Sequence, residues 1–102
     1  MLQEIMERDL LLRLEKAEDK MALLFYTPLC GTCLLAERMM EIAEESGTKI
    51  PGKKININFA PVLRDEWQIS SVPCLIVTEN GIPVLKEYAI GSVVDVHRWL
   101  NS

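Results

Sequence analysis

Met21-Ala22-Leu23-Leu24-Phe25-Tyr26-Thr27-Pro28-Leu29-Cys30-Gly31-Thr32-Cys33 is the stretch on which the reading of this chain turns. Residues 21–26 are continuously apolar, too few for a buried helix, and bounded by charge on one side and Pro28 on the other. That pattern predicts a central strand covered on both faces. Thr27-Pro28-Leu29 breaks the run, and Cys30-Gly31-Thr32-Cys33 then stands at the head of a long helical pattern. Two thiols with two residues between them, at a strand-to-helix junction, are placed for reversible disulfide chemistry.

Outward from this stretch the chain alternates between the two periodicities. The segment after Cys33 predicts a helix with Leu34, Leu35, Met39, Ile42 and Ala43 on its apolar face and Glu37, Arg38, Glu41, Glu44 and Glu45 on a solvated one, stopped at Ser46-Gly47. Before the central strand, Leu10, Leu11, Leu14 and Ala17 recur at helical spacing from Glu7 to near Asp19-Lys20, preceded by a weak edge strand over residues 2–6. Downstream, Ile50-Pro51-Gly52 is a turn and residues 54–58 alternate as a strand does. Residues 60–69 form a short helix carrying Val62, Leu63, Trp67 and Ile69. Val72-Pro73 interrupts the chain before a dense apolar strand over residues 74–78. Glu79-Asn80-Gly81 supplies a hairpin turn, residues 84–89 the return strand, and residues 92–100 a closing helix with Val93, Val96, Trp99 and Leu100 inward.

The order β-α-β-α-β-α-β-β-α predicts an α/β fold: a mixed, five-stranded central sheet with helices on both faces, its first strands parallel and its last pair a hairpin. The paired cysteines then lie at the C-terminal end of a central strand, where such sheets place their chemistry. The 102 residues, 49% of them hydrophobic and 25% charged, fit a single domain over residues 1–102 that needs no disulfide to hold its core. The net charge of −4, with Lys53-Lys54 the one basic pair, speaks against a nucleic-acid partner. Neither a basic, apolar leader nor a membrane-length apolar run is present, so the expected location is the cytoplasm, with no membrane partner. There a close cysteine pair is catalytic or metal-binding rather than structural.

A thiol attacks only as thiolate, and the first turn of a helix, with its unpaired N–H groups, favours the anion. Cys30 is therefore the expected nucleophile, forming a mixed disulfide with the substrate. Cys33, inside the helix and more buried, is the expected resolving thiol. Half of a zinc site is the competing use of such a pair. Four ligands are normally needed, and beyond the pair the chain offers only Cys74 among thiols and the single His97, which lies in the last helix. No resident metal or other cofactor is expected.

At these residues the chain resembles the thioredoxin family, along nearly its whole length. The resemblance is carried by Cys30-Gly31-Thr32-Cys33 on the strand–helix corner, Val72-Pro73, Asn80-Gly81 between the last two strands, and Gly91 before the final helix. It implies a thioredoxin fold and a protein-disulfide oxidoreductase acting in cell redox homeostasis and electron transport. A cis Pro73 would lie against the dithiol, with the Val72 backbone free to pair with an extended substrate. It further implies substrate contacts from Leu29, Gly31, Thr32, Val72, Pro73 and Gly91, protein disulfides as substrates, a reductase such as a thioredoxin reductase as electron donor, and a monomer.

The chain departs from the family in three places. Leu29 stands where tryptophan is usual, Thr32 where proline is usual between the cysteines, and Leu24 where the family has a buried aspartate assigned to proton transfer at the second cysteine. Lys54 matches the lysine that accompanies that aspartate, or is a solvated strand-edge residue. Cys74, directly after Pro73, is a small buried hydrophobe, a regulatory disulfide partner, or a third ligand for a metal or iron–sulfur cluster with Cys30 and Cys33. Beside the oxidoreductase stand two alternatives: a redox-weak binding module using the Pro73 groove, and a metal or cluster carrier.

Overall fold

The structure, a computed structural model, describes residues 2–17 and 20–102. Its elements are β1 (Gln3–Glu4), α1 (Glu7–Glu15), β2 (Lys20–Tyr26), α2 (Gly31–Glu45), β3 (Gly52–Asn56), α3 (Pro61–Glu66), β4 (Cys74–Glu79), β5 (Ile82–Glu87) and α4 (Val93–Trp99). The sheet runs β1-β3-β2-β4-β5. β1 and β2 pair parallel with β3, while β4 is antiparallel to both β2 and β5. This is the mixed five-stranded sheet expected from the sequence, with β2 at its centre.

The continuous apolar run of β2 is explained by burial on both faces. Met21, Leu23 and Phe25 alternate into a core layer with Leu10 of α1 and Leu63 of α3. Ala22 and Leu24 point to the opposite layer, with Ala36, Met40 and Ala43 of α2 and Val96 and Leu100 at α4. Two helices thus cover each face. Phe25 meets Trp67 edge-on, with ring centroids 6.0 Å apart, a favoured aromatic geometry.

The element ends differ from expectation where tertiary structure decides them. α1 stops at Glu15, with Ala17 in left-handed backbone (φ 52°). Asp19, where the helix was expected to end, lies outside the described residues, and Lys20 already belongs to β2. β3 begins at Gly52 and ends at Asn56, whose side chain accepts the Asn58 N–H and turns residues 57–59 into a single 3-10 turn. The expected strand over residues 54–58 is therefore displaced toward the N-terminus. α3 ends at Glu66, before Gln68 at φ 53°. β5 starts at Ile82 rather than Val84, because Asn80 and Gly81, both at positive φ, reverse the chain tightly.

The largest correction concerns α2. Its buried stripe is Cys33, Ala36, Met40 and Ala43, while Leu34 and Leu35 are 63% and 60% exposed. Small alanines, not the leucines, let this helix lie close on the sheet. Glu37 is mostly buried, not solvated, and Glu44 accepts the Gly52 N–H at 3.0 Å.

Candidate active site

Cys30 follows the Thr27-Pro28-Leu29 break at the C-terminal end of β2 and is the N-cap of α2, with extended backbone (φ −134°, ψ 107°). Its Sγ accepts the Cys33 N–H at 3.2 Å, filling the capping role that an oxygen usually takes. No acidic side chain stands in the first turn of α2 to offset the positive end of the helix. Cys33, three residues on, is 2% exposed. The two cysteines are joined as a disulfide, with Cα atoms 5.2 Å apart. Thr32 Oγ1 lies 3.4 Å from Cys30 Sγ. A disulfide sulfur carries no proton, so the Thr32 hydroxyl donates.

Around this pair the chain leaves an apolar rim. Leu29 is fully exposed, and Leu34 and Leu35 flank the helix start. A shallow groove beside the disulfide is lined by Thr32, Leu35, Pro73, Tyr88, Ile90 and Gly91, among others. The Val72–Pro73 peptide bond is cis. Val72 is partly buried against the layer that contains Phe25. Gly31 and Gly91 have open space where a Cβ would stand, so neither position demands glycine on packing grounds. Six of the residues singled out from sequence, Cys30, Cys33, Thr32, Pro73, Gly31 and Gly91, thus fall on one end of the sheet or in the loops around it.

Lys54 and Cys74 occupy different surroundings. Lys54 Nζ binds Glu37 Oε2 at 3.1 Å, with the two side chains 18% and 13% exposed, and sits 5.3 Å from the Tyr26 ring centroid. It is an inward-reaching ion-pair residue, not a solvated edge lysine. Its partner Glu37 was assigned to the solvated face in the sequence; the available signal was its place four residues after Cys33, one turn along the same helix face. Cys74 is completely buried, in β4 beside Phe25, and packs in the layer under α1 and α3, whereas Cys33 lies on the buried face of α2. Burial pushes the Cys74 thiol up to about 11, with Lys86 and Tyr88 pulling the other way. That position separates it from the Cys30–Cys33 pair by the thickness of the sheet. Among the described residues no three His, Cys, Asp or Glu side chains are grouped to hold a metal ion, and His97 of α4 contacts Asn101, just beyond the helix end. Nor is any described helix long and apolar enough to cross a membrane.

The thioredoxin family model matches residues 4–97. The thioredoxin-like protein YusE of Bacillus subtilis is 38% identical over 81 residues, which span 78% of this chain and 76% of that protein. An M-type chloroplastic thioredoxin of Spinacia oleracea is 37% identical over 70 residues, 68% of this chain but 38% of that longer one. A mutant thioredoxin from Halobacterium salinarum superposes with a TM-score of 0.76 over 97% of this chain and 84% of its own, at 21% identity, a likeness of fold. With a family match across nearly the whole sequence and Cys30 and Cys33 paired at the head of α2, the chain belongs to the thioredoxin family and is a thiol-disulfide oxidoreductase.

Proposed function

We propose that the protein reduces disulfides of other proteins, with Cys30 as nucleophile and Cys33 as resolving thiol. The observation that carries this order is the asymmetry of the pair. Cys30 Sγ is partly exposed and receives a backbone N–H at a helix N-terminus, which favours its thiolate, whereas Cys33 is buried. Attack by Cys30 gives a mixed disulfide; attack by Cys33 on Cys30 then releases the reduced substrate and leaves the pair oxidised. The rim of Leu29, Gly31, Thr32, Val72, Pro73 and Gly91 receives the substrate chain, with the Val72 backbone adding it as a short strand. A reductase, such as a thioredoxin reductase, restores the dithiol, and the protein works as a monomer in the electron transport that keeps the cytoplasm reducing.

The test is reduction of insulin disulfides with dithiothreitol as electron donor. Cys30→Ser abolishes catalysis over the uncatalysed background, and Cys33→Ser slows it, because each mixed disulfide on Cys30 then waits for dithiothreitol to discharge it. A Cys30→Ser variant as active as the parent sinks the assignment. A reduction potential for the pair near −120 mV, that of a strong oxidant, rather than near about −270 mV, reverses the direction of electron flow.

A further inference from the structure

The resolving step needs the Cys33 thiol to lose its proton, yet Cys33 is 2% exposed, and Ala22 and Leu24, which β2 turns to the layer under α2, carry no proton acceptor. A recess beside the thiol is lined by Cys33, Tyr26, Glu37 and Lys54 together with the Pro28 and Leu34 rim. Glu37 lies one helical turn beyond Cys33 and so on the same side of α2. Its carboxylate is 13% exposed and is gripped by Lys54 Nζ at 3.1 Å and 3.3 Å from its two oxygens. Lys54 reaches it from β3, where it stands in register with Leu24 of β2. A nearly buried carboxylate, fixed by a cation and opening on the same recess as a buried thiol, is arranged to take a proton through a water molecule.

We propose that Glu37 is the proton acceptor for Cys33 in the resolving step and that Lys54 is the residue positioning its carboxylate, an inference that rests on the roles assigned above to Cys30 and Cys33. Starting from the mixed disulfide, the Cys33 proton passes through water to Glu37. The Cys33 sulfur bonds to Cys30 Sγ, the bond between Cys30 Sγ and the substrate sulfur breaks, and the substrate leaves with the electron pair as a thiolate. The proton on Glu37 then goes to that thiolate or to solvent. The substrate disulfide is reduced and the Cys30–Cys33 dithiol oxidised, with two electrons transferred.

Among the described residues, few other charges face Glu37. Lys54 comes from β3; from β2 comes Tyr26, whose phenol burial and the hydrogen bond to Glu4 push up to about 12, so that it stays protonated. On α2 itself Arg38 pairs with Glu41. Lys54 Nζ, within hydrogen-bond reach of both carboxylate oxygens, fixes the Glu37 carboxylate in place.

Stopped-flow mixing of the reduced protein with dithiobis-nitrobenzoate separates the steps. The first nitrothiobenzoate is released when Cys30 attacks, and the second, in a concentration-independent phase, when Cys33 resolves. In Glu37→Gln the first phase is unchanged and the second is slowed about tenfold or more near neutral pH, within the range of a lost general base. The deficit narrows as pH rises, because hydroxide takes the proton directly. Glu37→Asp, which keeps the carboxylate, recovers most of the lost rate. A second phase equally fast in Glu37→Gln at every pH overturns the proposal, as does a deficit that ignores pH, spreads to both phases or persists in Glu37→Asp. Absence of the first phase from the unmodified protein would instead overturn the exchange roles themselves.

Discussion

Single atoms around the disulfide give Cys30 and Cys33 different chemistry from the same side chain. Cys30 Sγ accepts the Cys33 N–H as the helix cap, and the Thr32 hydroxyl adds a second donor. Replacing Thr32 with alanine removes that donor while leaving the exposed helix start otherwise intact. The reduced Cys30 then reacts more slowly with iodoacetamide at neutral pH, with folding stability changed by less than about 0.5 kcal/mol. Leu29 is fully exposed and packs against nothing. Leu29→Ser therefore leaves the unfolding midpoint in place but raises KM for protein disulfides, measured with insulin. Cys74 has the opposite character. Its folded thiol is pushed from an ordinary 9.0 to about 11, so the fold prefers the protonated form. That contribution is complete below about pH 9 and is lost as pH climbs toward about 11. Stability measured by urea unfolding at rising pH, with the disulfide kept closed, falls less steeply over that range in Cys74→Ala; Tyr26, raised from 10.0 to about 12, leaves its own decline between those values.

Elements reveal what periodicity shows and what it misses. The β2 run and the Asn80-Gly81 reversal were legible because each is written locally: a doubly covered strand needs apolar residues on both faces, and a tight hairpin needs residues that accept positive φ. The buried stripe of α2 was not, because large leucines dominate a count of apolar residues while close approach to the sheet selects alanine. Ala36→Leu thus overpacks a position with no exposure and costs roughly 1–3 kcal/mol, whereas Leu35→Gln costs less than about 0.5 kcal/mol; chemical denaturation of both variants checks the contrast. Gly81 carries two constraints, of which sequence shows one. Its φ of +80° belongs to the turn, and a Cβ there would also meet the Leu14 carbonyl oxygen at 2.5 Å, a contact between distant parts of the chain. Gly81→Ala accordingly destabilises by more than the ~1 kcal/mol of a simple positive-φ penalty. Glu37 was missed for the same reason: its partner Lys54 lies on another element, and only the packed helix shows that the pair is shielded from water.

For the whole molecule, element order and the dithiol on its strand–helix corner were enough to reach the fold, because crossover rules leave few ways to arrange three helix-separated strands and a hairpin. The packed sheet adds a division of labour. Its α1/α3 layer holds Cys74 fully buried, and its other face carries α2, with Cys30 at its mouth and Cys33 beneath. On the exchange order proposed above, only Cys30 and Cys33 take part. Incubating Cys33→Ser with a disulfide-bonded protein and mapping the product by mass spectrometry tests it directly. A covalent adduct on Cys30, absent from Cys30→Ser and discharged by added thiol, is the expected result. An adduct on Cys74, or none on Cys30 while insulin reduction by the unmodified protein persists, contradicts it.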